Sequence, residues 1–190
     1  MGKWDLLIID AGHGGKDPGC IYQDLKEKDI TLRLAKILYI LLDGNCYLLR
    51  DKDYYLTLEQ RTFAINKFCE LNRKPFVLSL HVNDADNKEA RGAEIIYCKL
   101  NPYHKYIIDL SKDLLEIYTT QLKLKNRGVK ECLNCRNFHL YLLKNTQCPS
   151  IIFELGFIKT DFSLKSIFLK DKLSEIGFIL SNFIKNYIIT

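Results

Sequence analysis

The chain has 190 residues, 47% of them apolar, 12% aromatic and 27% charged, with four prolines and ten glycines. That length predicts one domain spanning 1–190 with a full core of its own, and the composition excludes collagen-like, low-complexity and disordered classes. Lys and Arg outnumber Asp and Glu by 28 to 23, a net +5 spread along the chain, which suits an anionic partner but leaves no footprint for nucleic acid.

Short apolar runs alternate with segments of helical period, the pattern of an α/β layer fold. The chain opens on Met1-Gly2-Lys3-Trp4-Asp5 and enters Leu6–Ile9 directly. That run is too short for a signal peptide, and no stretch approaches the 18 apolar residues of a membrane span. Strands are expected at Asp5–Asp10, Cys46–Leu49, Phe76–His81, Ala93–Cys98, Phe138–Leu142 and Ser150–Leu155. Ile30, Leu34, Ile37, Leu38 and Leu41 recur at helical spacing, with Gly44 as the stop. Thr57 with Gln60 is a capping-box start for a helix reaching Leu71. Tyr103, Ile107, Leu110, Leu114 and Tyr118 mark a third helix. Leu173, Ile176, Leu180, Phe183 and Ile184 mark a fourth. The expected architecture is three layers, a twisted, mostly parallel sheet of about six strands between helices.

Seven cysteines at irregular spacing do not form a disulfide framework, and the expected setting of synthesis is a reducing cytoplasm. Cys132-Leu133-Asn134-Cys135 has the spacing of half a zinc site. Only His139 is near as a third ligand, so loop cysteines are the default.

Four segments carry chemistry. Ile8–Gly19 ends a strand at Asp10 and turns through Gly12-His13-Gly14-Gly15, presenting one imidazole at the carboxyl edge of the sheet, where open α/β sheets place ligands. It matches neither phosphate-loop motif: Walker A requires glycine where Asp10 stands and Ser or Thr where Asp17 stands, and the dinucleotide fingerprint requires glycine at 17. Phe76–Asn83 delivers a second strand-terminal histidine, His81. Glu27 precedes the first helix, where a carboxylate simply faces the helix dipole or completes a His₂Glu set. Glu154 lies inside the apolar run Ile151–Phe157, where a carboxylate is costly unless paired, ligated or held in a site.

With these stand Leu49-Arg50-Asp51-Lys52-Asp53, Leu58-Glu59-Gln60-Arg61, Ser79–Asn83, Arg91-Gly92-Ala93-Glu94, Gly128-Val129-Lys130 and Cys148-Pro149-Ser150. As an ordered set covering almost the whole chain, the segments resemble the zinc-dependent N-acetylmuramoyl-L-alanine amidases of the Amidase_3 family, cell-wall hydrolases of bacteria and phage endolysins. The resemblance implies that His13, Glu27 and His81 ligate Zn²⁺ and that Glu154 is the catalytic carboxylate. It implies hydrolysis of the amide joining N-acetylmuramic acid to the L-alanine of the stem peptide. Some relatives plug their site with a helix inserted after the second zinc histidine. Here only Asp84–Ala90 separates Asn83 from Arg91, so an open site with no obligatory activator is expected.

Arg50 and Arg61 are candidates to hold a stem-peptide carboxylate or, more simply, to brace the fold, and Asn83 is a further substrate-contact candidate. Tyr97, Tyr103, Tyr106 and Tyr141 are candidate sugar platforms, though their spacing suits core or rim. Two rivals remain, a zinc peptidase cutting within the stem peptide and a wall-binding module with a dead site. Peptidoglycan is the expected partner, with no nucleic acid and no membrane insertion, acting as a monomer. A chain made without an export signal and acting on the wall suits an endolysin released through a membrane lesion.

Overall fold

The computed structural model describes residues 4–132, 140–162 and 166–189. In chain order these form strand β1 (Leu6–Ala11), a short hairpin β2 (Ile21–Tyr22) and β3 (Leu25–Lys26), helix α1 (Glu27–Leu41), β4 (Cys46–Leu48) and α2 (Leu58–Glu70). There follow β5 (Pro75–Asn83), β6 (Ala93–Tyr97), α3 (His104–Leu122), β7 (Asn126–Glu131), α4 (Tyr141–Asn145), β8 (Ser150–Phe157) and α5 (Ser166–Tyr187). Six strands make one sheet in the order β4-β1-β5-β8-β6-β7. β4, β1, β5 and β8 run parallel, β6 opposes β8, and β7 is parallel to β6.

Period-two alternation divides the strand side chains between two faces. Leu7, Ile9 and Ala11 of β1, Phe76, Leu78 and Leu80 of β5, and Ile151, Phe153 and Leu155 of β8 join one core with α1, α3 and α5. Ile8, Val77 and Ile152 point the other way, into a smaller core with α2 and α4. Strands covered on both faces need apolar residues at both parities, which is why β1, β5 and β8 read as continuous apolar runs. The departures from that rule are Asp10, Ser79, His81 and Glu154, all of the parity that faces α2. Each lies toward the carboxyl end of a parallel strand.

The helices form where apolar stripes predict them. In α1 the buried Ile30, Leu34 and Leu38 lie along one face, while Ile40 is 71% exposed. The Thr57 hydroxyl accepts from the Gln60 backbone and the Gln60 side chain accepts from the Thr57 backbone, closing the capping box at α2. The buried Tyr118 hydroxyl of α3 donates to the Leu155 carbonyl at 2.9 Å, tying helix to sheet. Among the described residues no helix is long and apolar enough to cross a membrane.

Two expectations need correction. Tyr141 and Leu142 of the expected strand Phe138–Leu142 belong instead to helix α4, which runs on to Asn145 and buries Leu142 and Leu143. Phe138 and His139 lie outside the described residues. The sixth strand is instead β7, whose Asn126-Arg127-Gly128-Val129-Lys130-Glu131 carries no apolar run. It pairs only with β6 at the sheet edge, so its pairing rests on the backbone and its side chains stay polar.

Phe153 is fully buried at the centre of the larger core, stacked edge-on against Tyr118 with centroids 4.8 Å apart. Phe153→Ala is expected to destabilise the protein by about 3–5 kcal/mol, measured by urea denaturation with an unchanged m-value.

Candidate metal centre and active site

At the end of β1 the backbone turns sharply. His13 has φ 61° and Gly14 φ 130°, and Gly14 and Asp17 exchange both backbone hydrogen bonds, at 2.9 and 3.1 Å. The left-handed conformation at a non-glycine residue needs outside support, and two buried arginines supply it. Arg50 Nε donates to the Ala11 carbonyl at 2.9 Å, and its Nη2 donates to the Gly12 and Lys28 carbonyls at 2.9 and 2.8 Å. Arg61 donates to the Ala11 and His13 carbonyls at 3.1 and 2.6 Å and pairs with the buried Asp10 carboxylate. Asp10 also accepts from Ser79 at 2.7 Å. Burial raises the Asp10 pKa, but Arg61 and Ser79 outweigh it and hold the carboxyl below its usual value.

Arg50 and Arg61 are therefore braces of the loop. At 0% and 3% exposure, with their donors on backbone carbonyls and, for Arg61, on Asp10, they take the simpler of the two roles the sequence left open, and their guanidinium groups are withheld from a substrate carboxylate.

The loop brings three side chains together. His13 Nε2 lies 3.1 Å from Glu27 Oε2, and His81 Nδ1 lies 3.0 Å from Glu27 Oε1. The ligand atoms of the three fall within 4.8 Å of one another. Glu27 is the first residue of α1, and its carboxylate also accepts from the backbone N–H groups of Cys20 and Val82 at 3.0 and 2.8 Å. Asp17 can only accept, so His13 donates Nδ1–H to it at 2.8 Å and turns Nε2 toward Glu27. Glycine makes room for the cluster. A Cβ at Gly12 would sit 2.5 Å from the His81 ring, and one at Gly19 would sit 2.5 Å from Glu27 Oε2 and 2.7 Å from the His13 ring.

Electrostatics favour a cation here. Burial opposes charge on His13, yet Glu27 and Asp17 outweigh it and raise its pKa to about 9. Burial likewise opposes charge on His81, and Glu27 raises its pKa. Two imidazoles and a carboxylate, one ring already held by an outer carboxylate, suit a divalent ion of zinc's ligand preference.

Glu154 stands beside the cluster because β8 pairs with β5 in a register that places it opposite His81. Its Oε2 is buried and has no hydrogen-bond partner among the described residues. Burial raises its pKa to about 7, with Glu27 and Glu94 adding to the rise and His81 opposing it. A carboxyl poised near neutrality, with a free acceptor oxygen, is equipped to take and return a proton.

A cavity of about 530 Å³ opens over His13, Glu27, His81, Asn83 and Glu154. A second one of about 300 Å³ shares His13, Asp17 and His81 and is walled by Tyr55 and Leu56 of the loop into α2 and by Leu58, the first residue of that helix. Asn83 donates from its side chain to Glu94 at 3.2 Å. Residues 84–92 form no helix. Sequence reasoning passed over Tyr55, which faces the cleft. Tyr103 and Tyr106 instead pack on Trp4, with centroids at 5.4 and 5.8 Å. Cys132 is buried, and Cys135 and His139 lie outside the described residues.

The family model of N-acetylmuramoyl-L-alanine amidases, Amidase_3, matches residues 7–186. The chain is 32% identical over 155 residues to the uncharacterized protein YqiI of Bacillus subtilis strain 168, covering 80% of this chain and 69% of that one. It is 27% identical to a putative N-acetylmuramoyl-L-alanine amidase of Buchnera aphidicola subsp. Acyrthosiphon pisum, covering 98% and 96% of the two. The catalytic domain of CwlV, the amidase of Bacillus (Paenibacillus) polymyxa var. colistinus, superposes with a TM-score of 0.77 over 96% of this chain and 97% of that one, at 21% identity, a likeness of fold.

If the cluster holds a divalent ion, Asp17→Ala is expected to weaken its binding by about 10- to 100-fold in a competitive chelator titration with zinc as the probe, because His13 loses the carboxylate that orients its ring. Asp10→Asn is expected to cost about 3–5 kcal/mol in denaturant unfolding at pH 7, since it leaves Arg61 buried without its counter-charge. The lowered pKa of Asp10 sets the sign of the pH effect. Its contribution is whole above the unfolded value near pH 4 and fades as pH falls through the folded value, so the gap between wild type and variant narrows in acid.

Proposed function

The chain belongs to the Amidase_3 family and is an N-acetylmuramoyl-L-alanine amidase, an enzyme class acting on peptidoglycan, and from that premise we propose a zinc-dependent mechanism carried by His13, Glu27, His81 and Glu154. The observation that carries it is the placement of a half-buried carboxylate, its Oε2 buried and without a hydrogen-bond partner among the described residues, directly across the strand pairing from a His₂Glu cluster.

In this reading His13, Glu27 and His81 hold the ion. Bound there, the ion would supply Lewis-acid chemistry, making a water molecule more acidic and polarising the carbonyl of the scissile amide. Glu154, near pKa 7, accepts the proton of the attacking water as its oxygen bonds to the carbonyl carbon. The same carboxyl then donates that proton to the L-alanine nitrogen as the C–N bond breaks. The products are a free carboxyl on the lactyl group of N-acetylmuramic acid and a free amino group on L-alanine. Asp17 keeps the His13 ring in the tautomer that offers Nε2, and Val82 N–H and Cys20 N–H keep the Glu27 carboxylate turned between the two histidines. None of this needs a covalent intermediate, and the thiol nearest the site is unsuited to provide one. Cys20 donates to the Val82 carbonyl at 3.1 Å, and burial pushes its pKa up. The site as proposed is open and works without an activator, in keeping with a wall of the cleft that residues 84–90 line with no inserted helix. A lytic, endolysin-type role goes with the same chemistry.

Purified cell walls are expected to lose turbidity with the enzyme, to stop doing so after chelation, and to resume when zinc is restored. The solubilised fragments are expected to carry new L-alanine amino groups on intact glycan strands; new amino groups within the stem peptide instead would establish a peptidase. Glu154→Gln is expected to lower kcat by about 10²- to 10⁴-fold while the zinc content stays equal to wild type. Walls cleared undiminished by Glu154→Gln or by fully chelated enzyme would overturn the mechanism.

A further inference from the structure

A third cavity, of about 530 Å³, adjoins the metal centre and shares Asn83 and Asp84 with it. Its lining carries Arg91, Lys125 and Arg127 against Asp84 and Glu89. Asp84 is already answered by Lys159 at 2.9 Å, so the cavity presents an excess of positive charge.

Arg127 is held rather than free-swinging. Its Nε donates to Glu94 Oε2 at 2.7 Å, and its guanidinium lies 4.9 Å from the centroid of the Phe157 ring. Glu94 is a buried carboxylate of β6 that also accepts from Lys130 at 2.6 Å and from Asn83 at 3.2 Å. Burial raises its pKa, but Lys130 and Arg127 outweigh this and keep it ionised, so it serves as a fixed anchor. One edge of the guanidinium is thus used by Glu94 and one face by Phe157. The two terminal amino groups have no hydrogen-bond partner among the described residues. A planar fork offered in this way matches a carboxylate.

The walls are fixed as well. Asp161 Oδ2 accepts from the backbone of both Gly92 and Phe157 at 2.8 Å, joining the segment that carries Arg91 to the strand that carries the ring. Gly92, at φ 99°, passes so close to the Lys125 carbonyl that no side chain fits.

We propose that this cavity is the subsite for a free carboxylate of the stem peptide, that of the acidic residue following L-alanine, with Arg127 as the chief ligand and Arg91 beside it. The proposal rests on the amidase reading and adds the direction in which the peptide leaves the scissile bond. Position supports it. Glu154 pairs with Glu94 across β8 and β6, and β7 is the next strand, so Arg127 starts two strand spacings, about 10 Å, from the proton-transferring carboxyl. An extended chain covers about 7 Å in two residues, and the Arg127 side chain turns back toward Glu94 to meet it. The other cavity that reaches the metal centre is walled by Tyr55 and Leu56 and offers no comparable fork, since the Arg61 that lines it is spent on backbone carbonyls and Asp10.

The test compares two muramyl peptides that differ only at the residue after L-alanine, one with D-glutamate and a free α-carboxylate, the other with D-isoglutamine, its amide. Wild-type enzyme is expected to favour the carboxylate by about tenfold or more in kcat/KM, chiefly through KM. Arg127→Gln is expected to abolish that preference, its loss in kcat/KM falling more heavily on the carboxylate substrate than on the amide, and Arg127→Lys is expected to restore part of it. Equal rates of wild type on the two substrates, or a loss in Arg127→Gln that falls equally on both, would overturn the subsite and leave the amidase reading intact. Failure of the wild type to cleave either substrate at the L-alanine bond would overturn the amidase reading and the subsite with it. The wild-type preference needs no variant, so a poorly folding Arg127→Gln does not shelter the proposal.

Discussion

The backbone of Ala11, Gly12 and His13 is the piece on which the site depends. Its three carbonyls point inward and are met by two guanidinium groups, Arg50 from the segment after β4 and Arg61 from α2. Without those donors the Ala11 and His13 carbonyls would lose their side-chain partners, a cost of about 1–3 kcal/mol each, Gly12 would keep only the Thr31 hydroxyl, and the left-handed turn at His13 would relax. Buried arginine is itself expensive, and only Asp10 and the ring of carbonyl acceptors make it tolerable. The sheet's parity rule completes the arrangement, because Asp10 and Ser79 pair in register on neighbouring strands and face the same helix.

From that anchored loop the cluster follows. His13 is thrown forward onto Glu27, Glu27 is held by the backbone around it, and His81 arrives from the adjacent parallel strand. The close packing leaves space only for glycine at 12 and 19. One strand further, Glu154 shares the parity of His81, half-buried, with its Oε2 shut away from solvent. Burial here has two outcomes from one cause: it stabilises the apolar neighbours and it lifts a carboxyl toward neutrality.

The edge of the sheet adds a second functional layer. β6 reverses direction relative to β8, which brings Glu94 opposite Glu154 and lets β7 deliver Arg127 to the same end of the molecule as the metal centre. Two carboxylates side by side on adjacent strands then have opposite fates. Glu94, met by Lys130 and Arg127, stays ionised and serves to position them, whereas Glu154, with one oxygen unpartnered, is raised.

Much of this was legible in the amino-acid sequence. The apolar runs of β1, β5 and β8 announced buried parallel strands, the capping box at Thr57 placed α2, and the two strand-terminal histidines with Glu27 and Glu154 stood out because charged and polar groups interrupt apolar context. Local signals of this kind survive in one dimension because they reflect what each short segment must bury. The sequence could not assign roles that depend on which groups meet across long separations. Arg50 and Arg61 read as braces or, less simply, as substrate ligands, and only the fold showed both buried against the loop's carbonyls. Tyr141 and Leu142 read as the end of a strand because a short apolar run has no period of its own, and β7 was hidden because an edge strand can be held by backbone pairing with largely polar side chains. Arg127 gained a role only when Glu94 and Phe157, 33 residues before it and 30 after, closed around it in space. The sequence by itself determined the layers and the chemistry carried on them; the tertiary structure decided which charges are spent inside and which are turned toward the cleft, because desolvation and pairing are properties of neighbours in space.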